Sequence, residues 1–138
     1  MTFALTITIP APVMKPVRNR KTGKLSTPSE WLNSNQRKHR MQDAGLVATW
    51  RELGRQSALG LPPITVPVRI VAHIWRARNG RYDPNNWNAT TKPIVDGLVE
   101  AGLLVDDNFN YVIGPDHRHG GKGEPRIVLT ITPASATD

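Results

Sequence analysis

Six side chains between positions 83 and 107 have the types and spacing to do chemistry: Asp83, Asn85, Lys92, Asp96, Asp106 and Asp107. Two carboxylates brought to about 4 Å cost roughly 4 kcal/mol at an effective dielectric near 20. A fold that gathers them therefore binds a cation there or keeps one protonated. A magnesium ion takes one or two carboxylates and completes its shell with waters and phosphate oxygens. Asp83 and Asp107 can share such an ion, with Asp106 beside it and Asn85 adding a neutral amide oxygen. The ion would polarise a phosphodiester and activate a water for in-line attack. Lys92 would hold the scissile phosphate or the charge that develops on it. The competing reading is turn and capping chemistry around Asp83-Pro84 and Asp106-Asp107. On that reading Lys92, Asp96 and Glu100 form a solvated i, i+4 row worth a few tenths of a kcal/mol.

The setting sharpens the question. Eighteen Lys and Arg stand against eleven Asp and Glu in 138 residues, a net charge of +7. Five of the eleven acids fall in the 27 positions from Arg81 to Asp107. An excess of this sign favours a polyanionic partner, most often nucleic acid, or serves solubility alone. The candidate phosphate contacts are Arg18, Arg20 and Lys21 in a basic loop, Arg37 and Lys38 at a helix start, and Arg76, Arg78 and Arg81 leading into the acidic turn. With no cysteine, thiolate nucleophiles, zinc–thiolate sites and disulfides are excluded. The start, MTFALTITIP, lacks a basic leader, and no apolar run approaches the ~18 residues of a membrane span. The expectation is a soluble cytoplasmic protein.

The elements that must position these residues follow from periodicity. Phe3, Leu5, Ile7 and Ile9 alternate with small polar residues, predicting a half-buried strand that Pro10 and Pro12 end. Residues 11–34 read as a basic loop with a tight turn at Lys21–Lys24. Asn35 to Leu59 reads as a helix with Met41, Leu46, Trp50 and Leu53 on its apolar stripe, weakened by Gly45 and Gly54. Val66 to Arg76 predicts a second strand, its Val66, Val68, Ile70, Ala72 and Ile74 face apolar. Pro93 argues for a second helix starting near Thr91, capped by Thr90 or Thr91, burying Ile94, Val95, Leu98 and Val99 and stopping at Gly102. Phe109 to Ile113 reads as an edge strand, 116–123 as a flexible basic loop, 126–132 as the last strand and 133–138 as a flexible tail. The sum is one α+β domain over 1–138, a small mixed sheet of about four strands packed by two main helices.

Taken together, Asp83-x-Asn85-Asn86, Lys92-x-x-x-Asp96-Gly97-Leu98 and Ala101-Gly102-x-x-x-Asp106-Asp107 resemble the RusA family of Holliday-junction resolvases. LTITIP, VPVRIVAHIW and GGKGEPRIVLTIT resemble that family's flanking strands, so nearly the whole chain is covered. The resemblance implies a RusA-like fold and a homodimeric, Mg²⁺-dependent endonuclease, with Mn²⁺ as a possible substitute, acting on four-way DNA junctions in recombination and repair. It implies catalytic roles for Asp83, Asp107 and Lys92, Asp106 beside them, and a mainly structural Asp96. A two-fold dimer suits a substrate nicked on two symmetry-related strands. The family's second aspartate falls on Asn85, and extra residues precede Lys92. An uncharged ligand there weakens or shifts metal binding, so the alternative is a catalytically weak or inactive binder of branched DNA with the same fold.

Overall fold

The amino-terminal alternation becomes β1 (Leu5–Pro10), with Ile7 and Ile9 buried and the alternating Thr6 and Thr8 exposed. The computed structural model describes residues 2–34 and 40–135. Arg37, Lys38, the expected start of the first helix and the last three positions of the tail lie outside the described residues. The basic loop contains a short hairpin, β2 (Val17–Arg18) with β3 (Leu25–Ser26). Its turn is closed by the Asn19 carboxamide, which accepts from the N–H of Lys21 and Thr22. Helix α1 (Arg40–Ala58) buries Trp50 completely. Strand β4 (Val68–Arg76) leads through a 3-10 turn, Pro84–Trp87, into helix α2 (Asn88–Glu100). Strands β5 (Val112–Lys122) and β6 (Arg126–Pro133) complete the chain.

The main sheet is mixed, in the order β1-β6-β4-β5. β6 pairs antiparallel with both β1 and β4, while β4 and β5 run parallel. Pro10 is tolerated because β1 is an edge strand, where no ladder donor is needed on its outer side. Val68, Ile70, Ala72 and Ile74 of β4, Ile127, Leu129 and Ile131 of β6, and Ile7 and Ile9 of β1 form one core with the inner faces of both helices. Among the described residues this is the single α+β domain anticipated from the sequence, with two helices and a four-stranded mixed sheet, plus the small hairpin. No helix among the described residues is long and apolar enough to cross a membrane.

Two elements differ from expectation. α2 begins at Asn88, so Pro93 lies inside it. Proline at that depth forfeits the bond to Ala89 C=O and costs about 3 kcal/mol. Tertiary hydrogen bonds of about 1 kcal/mol each offset it. The Thr90 hydroxyl donates to Leu32 C=O at 2.6 Å and accepts from Leu32 N–H at 2.9 Å, and Thr91 Oγ1 lies 2.8 Å from His117 Nε2. The two threonines are thus buried anchors rather than caps. The end is as expected: Leu103 N–H bonds Leu98 C=O and Gly102 N–H bonds Val99 C=O, with Gly102 at φ +85°.

The second difference is residues 116–123, which are almost wholly strand rather than loop, while Phe109 of the expected edge strand sits exposed in the preceding turn. The glycines that suggested a loop make room for Trp75. A Cβ on Gly120 would fall 2.6 Å from Trp75 Nε1, and one on Gly121 2.8 Å from Trp75 Cζ3. The tail is also shorter than expected, because Pro133 belongs to β6 and Ala134 N–H bonds Pro67 C=O.

Candidate active site

A parallel strand pair needs a crossover, and here the crossover from β4 to β5 is the acidic stretch itself. α2 is its spine. Lys92 stands one turn in, Asp96 one turn further, and the Schellman stop at Gly102 turns the chain back so that Asp106 and Asp107 lie against the helix. The turn is internally braced. Asp106 Oδ1 accepts from Asp107 N–H at 2.7 Å and Oδ2 from Asn108 Nδ2 at 3.0 Å, while Asn108 Oδ1 accepts from Asn110 N–H at 2.9 Å.

The Lys92 ammonium is clasped by two carboxylates, donating to Asp96 Oδ1 at 3.0 Å and to Asp107 Oδ2. Lys92, bonded first to Asp107 and then to Asp96, has its pKa raised. The same bond from Lys92 holds the Asp107 carboxyl below the usual carboxylate range, against a smaller opposing effect of burial. Asp107 therefore stays ionised in any neutral or mildly acidic medium. Lys92 is about half exposed, so the pair contributes little to stability.

Asp96, Glu100, Asp106 and Asp107 line one cavity of about 380 Å³ together with Arg51, whose Nε lies 3.8 Å from Glu100 Oε1. Four carboxylates against Arg51 and Lys92 leave two net negative charges. They gather at the carboxyl end of α2, the negative pole of its dipole, and the last turn carries no basic residue. This donor set suits a hard divalent cation held through one or two carboxylates with water in its remaining positions. Among the described residues no three acidic or histidine side chains converge on a single point, so the set is not a dry cage.

Asp83 stands apart from this group. It caps the 3-10 turn, its Oδ1 accepting from Asn85 N–H at 3.0 Å, and its own carbonyl accepts from Asn86 N–H. It is not among the residues that line the acidic cavity. The reason is topological: Asp83 precedes the amino end of α2, whereas Asp107 docks on Asp96, which the helical rise puts about 12 Å along the axis from Asn88. Asp83 and Arg81 instead line a second cavity, of about 630 Å³, with Tyr82 and His119. There Tyr82 Oη and His119 Nδ1 share a hydrogen bond of 2.5 Å, and the rings meet edge to face at 5.4 Å. The structure thus brings Lys92, Asp106 and Asp107 together with Asp96, and leaves Asp83 and Asn85 at the other end of the helix.

Among the basic residues, Arg76 lies across the Tyr82 ring at 4.3 Å and Trp87 at 5.4 Å, and Arg78 is exposed beyond it. Arg20 and Lys21 are exposed at the hairpin turn, while Arg18 Nη1 is turned inward on Gly23 C=O at 2.7 Å. Sequence reasoning missed the His119–Tyr82 pair beside Asp83 and the packing of Trp31, which stacks on Trp50 at 5.6 Å and meets Trp87 edge-on at 6.2 Å. The signal for the second was an isolated Trp-Leu pair in an otherwise polar loop. Compared with known families and curated proteins, the chain matches no family model and no curated protein.

Proposed function

We propose that the protein is a divalent-metal-dependent, structure-selective DNA endonuclease acting as a two-fold dimer on four-way junctions. One observation carries the reading: Lys92 is held between Asp96 and Asp107, two carboxylates that line an acidic cavity, on a protein of net charge +7. A lysine at a carboxylate pair that can take a cation is the arrangement phosphodiester hydrolysis needs, with one group for the phosphate and one for the ion. Asp107 and Asp106 would hold the ion, and Asp96 would keep Lys92 in place. A bound divalent ion supplies Lewis-acid polarisation of the phosphodiester and a water of lowered pKa. Lys92 binds and orients a non-bridging phosphate oxygen, exchanging one carboxylate partner for it. The exposed arginines after β4 and on the hairpin draw in the DNA and set its register. Asp83 lies within the same crossover but lines a separate cavity, and Asn85 follows it in the 3-10 turn, so their contribution is to DNA placement or to a second ion.

The alternative, a branched-DNA binder without cleavage, is favoured by Asn85 and by the separation of Asp83 from Asp107. Nicking of a synthetic four-way junction, with and without Mg²⁺, decides between them. Wild type should nick only with the ion, and Asp107→Asn should lose at least about a hundredfold in rate, the scale of removing one transition-state charge contact. Equal cleavage by wild type and Asp107→Asn would remove Asp107 from the mechanism. Metal-independent binding without nicking would select the alternative.

A further inference from the structure

A third cavity, of about 370 Å³, lies between the segment leading to α1 and the end of β4, away from the acidic group. Thr27, Ser29, Glu30 and Trp31 line one side and Arg76 and Arg78 the other. Arg76 is unusual among the arginines. Its guanidinium is fixed against two aromatic rings, Tyr82 and Trp87, and its Nη1 is buried with no hydrogen-bond partner. That nitrogen carries no accessible surface, so the remaining guanidinium N–H groups are the ones a ligand in the cavity can meet. Ser29 Oγ accepts from Trp31 N–H at 3.1 Å, which leaves its own O–H to donate. Thr27 adds a second hydroxyl at the rim.

We propose that this cavity receives one phosphodiester group of a nucleic-acid backbone, gripped by Arg76 and Arg78 and by the two hydroxyls. The inference rests on the DNA reading above and adds to it a built anchoring point remote from the acidic cavity. Charge selects the ligand. Two arginines against Glu30 leave one net positive charge, which matches the single charge of a phosphodiester rather than the near-double charge of a phosphate monoester. The planar fork of a pre-oriented arginine suits two oxygens of one phosphate, whereas a lysine there offers a point charge. Held by Tyr82 and Trp87, the Arg76 fork loses little freedom on binding.

The test uses the whole protein in EDTA, so that no metal chemistry contributes. Dimethyl phosphate, the dinucleotide TpT and inorganic phosphate are titrated separately, with Trp31 Nε1–H, Ser29 N–H and the Arg76 side chain followed by NMR. The expected result is saturable shifts at these three groups with both diesters, and at least threefold weaker binding of inorganic phosphate. Arg78→Ala, an exposed substitution, should weaken TpT about fivefold and lower the salt slope for single-stranded DNA by about 0.7, the share of one phosphate contact on a single strand. Arg76→Lys, which keeps the charge and loses the fork, should weaken the diesters while its melting curve confirms folding. Absence of shifts at these groups, or an unchanged salt slope in Arg78→Ala, overturns the proposal. Tighter binding of inorganic phosphate than of either diester also overturns it, in favour of a free-phosphate pocket. Junction nicking with Mg²⁺ by the same variants keeps the two readings distinct: diester binding without nicking retires the nuclease, and nicking without diester binding retires the pocket.

Discussion

Replacing Gly97 by alanine tests how the site is held. At the crossing of α1 and α2 the helices meet backbone to backbone. A Cβ on Gly97 would fall 2.2 Å from Arg51 C=O and 2.6 Å from Arg55 N, and one on Gly54 2.5 Å from Ile94 C=O. Ordinary contact begins at 3.4 Å, so Gly97→Ala must part the helices by about 1.2 Å, the difference between 3.4 and 2.2 Å. The blocking atoms are main chain, so no rotamer change relieves them. A gap of ~1 Å forfeits up to about half of the dispersion energy of each contact it opens. Overpacking of this kind costs up to about 3 kcal/mol. Alanine returns about 1 kcal/mol of helix propensity. The net loss is about 2 kcal/mol, a fall in Tm of roughly 8 °C for a domain of this size. Gly45 lies on α1 with no atom within 4 Å of its would-be Cβ, so Gly45→Ala should gain up to about 1 kcal/mol and melt a few degrees higher. Thermal and urea melts followed by circular dichroism measure both. A Gly97→Ala protein melting at or above wild type would refute the close crossing that sets α2, and with it Lys92 and Asp96, against α1.

Lys92→Gln removes the internal counter-ion of Asp96 and Asp107, so Mn²⁺ should bind about tenfold tighter by calorimetry, equivalent to roughly 1.4 kcal/mol of relieved like-charge repulsion; unchanged affinity would mean that no divalent ion uses these carboxylates. Thr90→Val leaves Leu32 N–H and C=O buried without the hydroxyl and should cost about 1–3 kcal/mol, with altered tryptophan fluorescence as Trp31 loosens from Trp50. His117 is buried against Thr91, and burial lowers its pKa below the ordinary 6.5. The unfolded chain therefore binds that proton first, so stability from this group is complete above about pH 6.5 and falls as pH drops towards the lowered value. His117→Asn should flatten the Tm-against-pH curve there, whereas the loss tied to the lowered carboxyls of Asp107 and Asp116 begins only near their ordinary 3.8 and below.

The sequence by itself determined the strands read at 3–9, 66–76 and 126–132, each end within two residues of β1, β4 and β6, because a period-two row of β-branched residues has one way to bury its apolar face. It determined that Gly102 ends α2, and that Lys92 and Asp96 share a helix face, since an i, i+4 spacing is a local property. It did not determine that 116–123 is largely strand, because Gly120 and Gly121 are explained only by the Trp75 ring, which arrives from a strand 45 residues upstream. It placed α2 too late, because the bonds that offset Pro93 come from Leu32 and His117, outside the helix. The acidic residues divide along the same line. That Asp106 and Asp107 are near one another is covalent geometry, but that Asp107 reaches Lys92 while Asp83 does not join them was decided by tertiary structure. A parallel crossover sends the two ends of its helix to opposite ends of the sheet, and only the fold-back after Gly102 returns one carboxylate to the lysine.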